Sequence, residues 1–157
     1  MIIYSADTIL LTICDILAVM KFLKQFMKNP VQIGAIAASS EGLSRLIVES
    51  SELKSKRCIV ELGAGTGSFT REILSKMSPS STFFAIEINR QFIIDIKREC
   101  PNALVYHGSA IDIKKYLNKH NQVSSDCIIS GLPWAVFDKN LQEELMDVYL
   151  VLQFWHF

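Results

Sequence analysis

A glycine-rich turn preceded by an acid is the part of the sequence best suited to bind a ligand. It reads Glu61-Leu-Gly63-Ala64-Gly65-Thr-Gly67 and directly follows an apolar run. Glycines permit tight backbone turns with no Cβ atom in the way of a ligand, and free N–H groups at the start of a following helix can receive a carboxylate or phosphate. Because tight turns need glycine for steric reasons alone, the turn by itself is weak evidence.

A second acid strengthens this prediction. Glu87 ends the next apolar run, 20 residues after Gly67. A carboxylate there can accept hydrogen bonds from both ribose hydroxyls of an adenosine-containing ligand, and the alternative is a solvated acid at a strand end. A dinucleotide fingerprint, Gly-x-Gly-x-x-Gly, would place Ser68 at its third glycine. The observed order, with an acid before the first glycine, departs from that fingerprint.

A turn after the fourth apolar run is suited to an amine acceptor. It reads Ser130-Gly-Leu132-Pro133-Trp134. Proline leaves the carbonyl before it free of competing local donors, and an adjacent aromatic ring can stack on a planar or cationic group. Carbonyl oxygens there can orient an amine toward an electrophilic methyl group without a strong base. Leu132, Pro133 and Trp134 are therefore candidate catalytic residues, and the alternative is a structural turn with a buried tryptophan.

Short apolar runs predict the strands that position these turns. The predicted strands cover 58–62, 82–87, 103–107 and 126–130, and the helical patterns 69–77, 91–100 and 140–151. Short buried strands that alternate with helices are typical of a parallel sheet covered on both faces. The predicted fold is therefore α/β and doubly wound, with ligands bound beyond the carboxyl ends of the strands.

Two further helical patterns precede the strands. An amphipathic helix is predicted over 6–28, ended by Asn29-Pro30, with lysines toward its C-terminus. Those lysines fit either a helix packed on its own domain, where they complement the helix dipole, or an interfacial helix that rests on anionic lipid. After a loop containing Gly34, Ser39-Ser40 predicts the N-cap of a second helix. We treat the chain as one domain, with an N-terminal helical segment at 1–56 and an α/β core at 57–157.

The amino-acid composition argues against several classes of protein. The 157 residues suffice for one compact core, and 16 basic residues balance 16 acidic ones, which gives no overall positive field for nucleic acid. The four cysteines (14, 58, 100 and 127) have no Cys-x-x-Cys spacing, which predicts reduced thiols and no metal site. Asp7 and Asp15 interrupt the apolar N-terminus, which argues against a signal peptide or a spanning helix. We expect a cytoplasmic protein.

An ordered set of segments resembles the bacterial phospholipid N-methyltransferases, relatives of the ribosomal RNA adenine dimethyltransferases. The segments lie between 22 and 151 and read FLKQFMKNPVQIGAIAASS, VELGAGTGSFTREIL, AIEIN, HGSA and SGLPWAVF. The resemblance implies a Rossmann-like fold of the methyltransferase type, S-adenosyl-L-methionine as cofactor, and methyl transfer to a nitrogen.

The resemblance also implies roles for individual residues. Glu61 would hold the methionine ammonium group, the turn at 63–67 would accommodate the cofactor, and Glu87 would bind its ribose. Ser130, which opens the motif near the acceptor, and Ser109 are also counted among the cofactor-binding residues. Ser109 stands where the family commonly has an acid that contacts the adenine amine, and Asp112 could replace that acid only if the loop were rearranged.

A second departure concerns the end of the chain. The family fold continues through a fifth strand and a terminal antiparallel pair, which the sequence does not reach. We therefore expect a truncated relative with an incomplete sheet of about four to five strands and an exposed hydrophobic edge, which an oligomer or partner could cover.

These observations favour an S-adenosylmethionine-dependent N-methyltransferase. A lipid amine of the phosphatidylethanolamine type is the favoured acceptor and RNA adenine the second, with peripheral membrane contact through the N-terminal helix. The alternatives are an NAD-dependent oxidoreductase and a non-catalytic fragment that binds the cofactor. His107 is interpreted as a structural residue.

Overall fold

The computed structural model describes residues 3–5, 33–134 and 137–153. Its strands are β1 (Ile3–Ser5), β2 (Cys58–Leu62), β3 (Thr82–Glu87), β4 (Val105–His107) and β5 (Cys127–Ser130). Its helices are α1 (Ile33–Ser50), α2 (Ser68–Lys76), α3 (Arg90–Glu99), α4 (Ile113–Lys119) and α5 (Lys139–Gln153). Short 3-10 turns occupy Leu53–Ser55 and Ala110–Asp112.

The strands form one sheet in the order β1-β5-β2-β3-β4. The four strands from β5 to β4 are parallel, as predicted, and β1 pairs antiparallel with β5. Leu62 of β2 lies beside Ile86 on one neighbouring strand and beside Ser130 on the other. The register therefore brings the turns that follow β2, β3 and β5 to the same edge of the sheet.

Helices cover both faces of the sheet. On one face Phe84 of β3 belongs to a buried cluster with Leu117 of α4 and Tyr149 of α5. On the other face Ile59 of β2 belongs to a cluster with residues of α1, α2 and α3, namely Val48, Ile73 and Ile96. All five residues of β2 are buried, which explains why the strand reads as a continuous apolar run rather than an alternating one. The doubly wound prediction is confirmed.

The N-terminal part of the prediction needs two corrections. Helix α1 begins at Ile33, so the predicted loop at Gly34 and the predicted N-cap at Ser39-Ser40 are both wrong. Packing of an apolar helix face on a core outweighs the local preference of serine and glycine for caps and turns, and Val48 supplies such a contact. The predicted helix over 6–28, with its proposed lipid contact, lies outside the described residues.

The edge of the sheet at β5 also differs from the expectation. Ile3 pairs with Ile129, Tyr4 with Ile128 and Ser5 with Cys127, so the backbone of β5 is paired at three positions. β5 is therefore not the edge strand of the sheet, because a segment that precedes the first predicted helix supplies a further strand beyond it. That an oligomer or partner covers the sheet edge stays a prediction.

The cysteines in the described ranges are free thiols. Cys58 and Cys127 lie on neighbouring strands but belong to core clusters on opposite faces of the sheet. Burial raises the pKa of Cys58 to about 12 and that of Cys127 to about 11. Such thiols remain protonated and unreactive at neutral pH. Cys14 lies outside the described residues.

Between residues 33 and 153, as far as the structure describes them, no helix is both long and apolar enough to cross a lipid bilayer.

Candidate active site

The predicted glycine turn links β2 to α2. Gly63, Gly65 and Gly67 have positive φ angles of 72°, 52° and 79°. Residues with a Cβ atom rarely adopt such angles, so the conformation of this turn depends on glycine. Among the described residues, a Cβ built at Gly65 would meet no heavy atom within 4 Å, so this part of the chain leaves open space beside the backbone where a ligand could approach.

Glu87 lies at this turn. It is 6% exposed, and its Oε2 accepts a hydrogen bond from the Gly65 N–H at 2.9 Å. Its Oε1 accepts one from the Asn89 N–H at 2.8 Å. The alternative of a solvated strand-end acid is therefore wrong. The prediction that the turn and this carboxylate lie together is confirmed, and their contact is direct.

Glu61 is a fully buried acid near the end of β2, just before the glycine turn. It is 0% exposed, and its Oε2 accepts a hydrogen bond from the Thr70 hydroxyl at 2.7 Å. Its Oε1 has no hydrogen-bond partner within the described ranges. Burial, reinforced by the negative charge of Glu87, raises the pKa of Glu61 to about 8, and the Thr70 hydrogen bond opposes this shift. A cationic group brought to Oε1 would offset both effects.

The predicted acceptor turn lies against the glycine turn. The Gly131 N–H donates to the Leu62 carbonyl at 2.8 Å. A Cβ built at Gly63 would lie 2.8 Å from Leu132 Cδ2, so these two residues are in contact. Ser130 is buried at the end of β5, and Pro133 is exposed. The structure thus brings the predicted cofactor turn and the predicted acceptor turn side by side.

Trp134 is half-buried and packs against α5. Its ring meets Tyr149 edge-on at 5.8 Å between centroids and lies 6.3 Å from Phe137. Its Nε1 is buried and has no hydrogen-bond partner among the described residues. One side of the ring therefore has a packing role, as the structural alternative supposed, and its proposed contact with an acceptor stays a prediction.

One detail of the acceptor turn differs from the prediction. The Leu132 carbonyl, expected to be free because a proline follows it, accepts a hydrogen bond from the Trp134 N–H at 2.9 Å. The chain bends sharply enough at Pro133 for a donor two residues further along to reach back. A carbonyl oxygen has two lone pairs, so one acceptor position remains.

Ser109 and the two histidines in the described residues have local structural partners, whereas Asp112 is exposed. Ser109 precedes the short 3-10 turn, and its Oγ accepts from the Ile111 N–H at 3.4 Å. Asp112 is exposed at the start of α4. His107 is exposed, with Nε2 3.0 Å from the Ile88 carbonyl oxygen, which agrees with a structural role. His120 stacks on Phe84 at 5.0 Å between ring centroids.

Neither Thr70 nor Asn89 was predicted as a site residue from the sequence. Thr70 lies on the buried face of α2 with Ser68 and Ile73. The sequence signal that could have identified Thr70 is its position one helical turn before the apolar Ile73, which places both residues on the same helix face. Asn89 caps α3 through its side chain, which accepts from the Gln91 N–H.

The fold and this site define a Rossmann-like α/β protein of the class that binds a nucleoside cofactor at the first strand-to-helix turn. No family model matches the chain. An ornithine lipid N-methyltransferase of Singulisphaera acidiphila is 32% identical over 130 residues, which cover 81% of this chain and 68% of that protein. The chain belongs to the family of S-adenosylmethionine-dependent methyltransferases that includes this enzyme, which confirms the predicted family.

Two further comparisons agree. A ribosomal RNA small subunit methyltransferase A of Borreliella burgdorferi is 30% identical over 112 residues, covering 71% of this chain and 38% of that protein. The O-methyltransferase TomG of Streptomyces achromogenes, solved in complex with S-adenosylmethionine, has the same fold at a TM-score of 0.55 and 22% identity, covering 71% of this chain and 50% of that one. The chain thus spans half or less of the length of these two proteins. Family membership does not favour the alternative of an NAD-dependent oxidoreductase.

Proposed function

We propose that this chain transfers a methyl group from S-adenosylmethionine to the amine nitrogen of a membrane lipid headgroup. The observation that carries this proposal is the similarity to the ornithine lipid N-methyltransferase, which extends over 68% of that protein. The similarities to ribosomal RNA methyltransferases extend over 38–44% of those proteins, at 25–30% identity. The balance of 16 basic and 16 acidic residues also favours a lipid over a polyanionic RNA.

The residues of the glycine turn fit the cofactor. Glu61 Oε1 is a buried acceptor without a partner in the described part of the chain, and an ammonium group supplies the matching charge and donors. The open space beside Gly65 is where an adenosyl group would lie close to the backbone. Each carboxylate oxygen of Glu87 accepts one backbone N–H and has a further lone pair for a ribose hydroxyl.

The chain contributes mainly by positioning the reactants. When bound, S-adenosylmethionine supplies an electrophilic methyl carbon on a sulfonium sulfur. The turn at 131–134 holds the amine beside the glycine turn, with its lone pair aimed at that carbon. A remaining carbonyl lone pair on Leu132 can accept an amine N–H and so orient the nitrogen. Methyl transfer would need the amine in its neutral form, because an ammonium group has no lone pair, and the proton left on the nitrogen after transfer would pass to water. The role of the turn at 131–134 is therefore to hold and orient that neutral amine.

RNA adenine is the second candidate acceptor, because four related proteins are ribosomal RNA methyltransferases. Trp134 would then stack on an unstacked base. The exocyclic amine of adenine is also a nitrogen nucleophile, so the same positioning would apply.

The test is transfer of a tritiated methyl group to defined acceptors. Separate reactions contain vesicles of phosphatidylethanolamine, vesicles of ornithine lipid, vesicles of phosphatidylcholine, and total RNA. We expect label in one or both of the first two and none in phosphatidylcholine, whose nitrogen is already quaternary. Label in RNA alone, or in no acceptor, would overturn the proposal.

A pair of variants connects the labelling to the site. Glu87→Ala removes the carboxylate at the glycine turn and is expected to abolish labelling. Glu49→Ala removes an exposed α1 carboxylate that pairs with Lys76, and labelling is expected to persist. Equal labelling by the two variants would remove Glu87 from the site.

A further inference from the structure

Thr70 makes a buried contact with Glu61, the residue proposed to bind the methionine ammonium group of the cofactor. Its hydroxyl donates to Glu61 Oε2 at 2.7 Å, and both side chains are 0% exposed. Thr70 is the third residue of α2, in the helical turn that follows the glycine turn. The hydrogen bond therefore links the first turn of this helix to the end of β2.

This contact fixes which carboxylate oxygen is available. A threonine hydroxyl has a single proton, and here that proton is donated to Oε2. The β-branched side chain of Thr70 is restricted at χ1, so the donor has little freedom to move. Glu61 Oε1 is left without a hydrogen-bond partner in the residues that the structure covers. One oxygen is thus held by the fold, and the other is available to a ligand.

We propose that Thr70 is a positioning residue, whose hydroxyl holds the Glu61 carboxylate so that Oε1 faces the ammonium group of the bound cofactor. This inference rests on the proposed function, since it assumes that the cofactor contains a methionine moiety. In this proposal, binding of the adenosyl part of the cofactor does not depend on Thr70.

The charge of Glu61 depends on the same contact. Burial and the neighbouring Glu87 raise the pKa of Glu61, and Thr70 lowers it through its hydroxyl and, to a smaller extent, through its backbone N–H. Without the hydroxyl, a larger fraction of Glu61 is protonated at neutral pH, and a protonated carboxyl attracts an ammonium group weakly. Loss of Thr70 therefore weakens ammonium binding through both orientation and charge.

The test compares two ligands that differ in the amino-acid part. S-adenosylhomocysteine carries the ammonium group, whereas methylthioadenosine has the adenosine and the sulfur but no amino-acid portion. Calorimetric titration at neutral pH gives the affinity of each. We expect Thr70→Val to weaken S-adenosylhomocysteine binding about tenfold and to leave methylthioadenosine binding unchanged. Thr70→Ser, which restores a hydroxyl, should recover most of the lost affinity.

Ser51→Ala is the matched control. Its hydroxyl is also buried and bonded, to the Ile47 carbonyl at 2.7 Å, but it lies near Cys127 at the opposite end of the sheet. This variant should bind both ligands as the wild type does. Methylthioadenosine binding also reports whether each variant is folded, and Thr70→Ala replaces the valine variant if the latter does not fold.

The outcomes separate this inference from the proposed function. Equal loss of both ligands in Thr70→Val, or no loss of either, overturns the positioning role while leaving the methyltransferase proposal intact. Failure of the wild-type chain to bind either ligand overturns both.

Discussion

The backbone of Gly131 lies directly against the carbonyl oxygen of Gly63, so that a Cβ atom built at 131 would be only 2.5 Å from that oxygen. Gly131 opens the turn that follows β5, and Gly63 opens the turn that follows β2. The parallel pairing of these strands sets the two turns next to each other, with Leu62 opposite Ser130. The absence of a side chain at 131 then lets the acceptor turn approach the cofactor turn closely.

Replacing Gly131 with alanine is expected to separate the two turns. The added methyl group would meet a backbone atom, which moves less readily than the end of a flexible side chain. We expect a loss of about 1–3 kcal/mol in the free energy of unfolding and weaker binding of S-adenosylhomocysteine. Denaturant unfolding and calorimetry measure these effects.

Gly42→Ala is the control for this substitution. Gly42 lies inside α1, and a Cβ built there meets no heavy atom of the described residues within 4 Å. Alanine should be neutral or stabilise the helix by up to about 1 kcal/mol. Similar stability for the two variants would show that the contact between the turns is not tight.

The raised pKa of Glu61 predicts a particular pH dependence of stability. Its folded-state pKa is about 8 against an ordinary value of 4.5. Between these values the folded chain binds this proton and the unfolded chain does not, so the contribution of Glu61 to stability is present below the lower value and is lost as pH rises toward the upper one. The free energy of unfolding of the wild type, minus that of Glu61→Gln, should therefore fall across this range.

The same protonation makes cofactor binding depend on pH. An ammonium group at Oε1 favours the charged carboxylate, so S-adenosylhomocysteine should release a proton from Glu61 when it binds below its pKa. Calorimetry in buffers of different ionisation enthalpy counts such protons. Glu61→Gln should release none, and methylthioadenosine should release none from the wild type. Equal proton release by both ligands would assign the proton to another group.

The main strands and the glycine turn could be predicted from the sequence because buried parallel strands are apolar throughout and only glycine tolerates the turn's φ angles. Helix α4 was not predicted, because its seven residues are too few to show a clear helical periodicity of apolar residues. Its buried face is formed by Ile113, Tyr116 and Leu117. The start of α1 was misplaced because serine and glycine favour caps locally, whereas packing of the whole helix decides its length.

Contacts between distant segments were the part that the sequence could not reveal. Thr70 appears as an ordinary polar helix residue until the fold places it 2.7 Å from Glu61. The pairing of β1 with β5 depends on a segment more than a hundred residues away along the chain. Such relations follow from the register and handedness of the sheet, which local patterns do not determine.

Glu87 makes backbone contacts at the glycine turn and is proposed to bind the ribose as well, and a substitution tests the proposed contact. Its carboxylate accepts the Gly65 and Asn89 N–H groups and is proposed to accept the ribose hydroxyls. In Glu87→Gln an NH₂ group replaces one carboxylate oxygen, and this group cannot accept the hydrogen bond from the backbone N–H that it faces. We expect S-adenosylhomocysteine and methylthioadenosine to lose affinity alike, by roughly 10- to 100-fold, because both contain the ribose. Glu49→Gln serves as the surface control. Loss of one ligand only would contradict a ribose contact.

Trp134 is predicted to affect the acceptor rather than the cofactor. Its ring packs edge-on against Tyr149 at 5.8 Å, and it follows the exposed Pro133 in the acceptor turn. Trp134→Phe keeps an aromatic ring there but reduces its reach and removes the indole N–H. We expect kcat/KM for the lipid amine to fall by about tenfold, since small displacements of a reactant are costly to rate, while S-adenosylhomocysteine binding is unchanged. Phe137→Leu, which alters a neighbour of the same ring, should have a smaller effect. If Trp134→Phe weakened cofactor binding as much as catalysis, the ring would act through the packing of α5 and not through the acceptor.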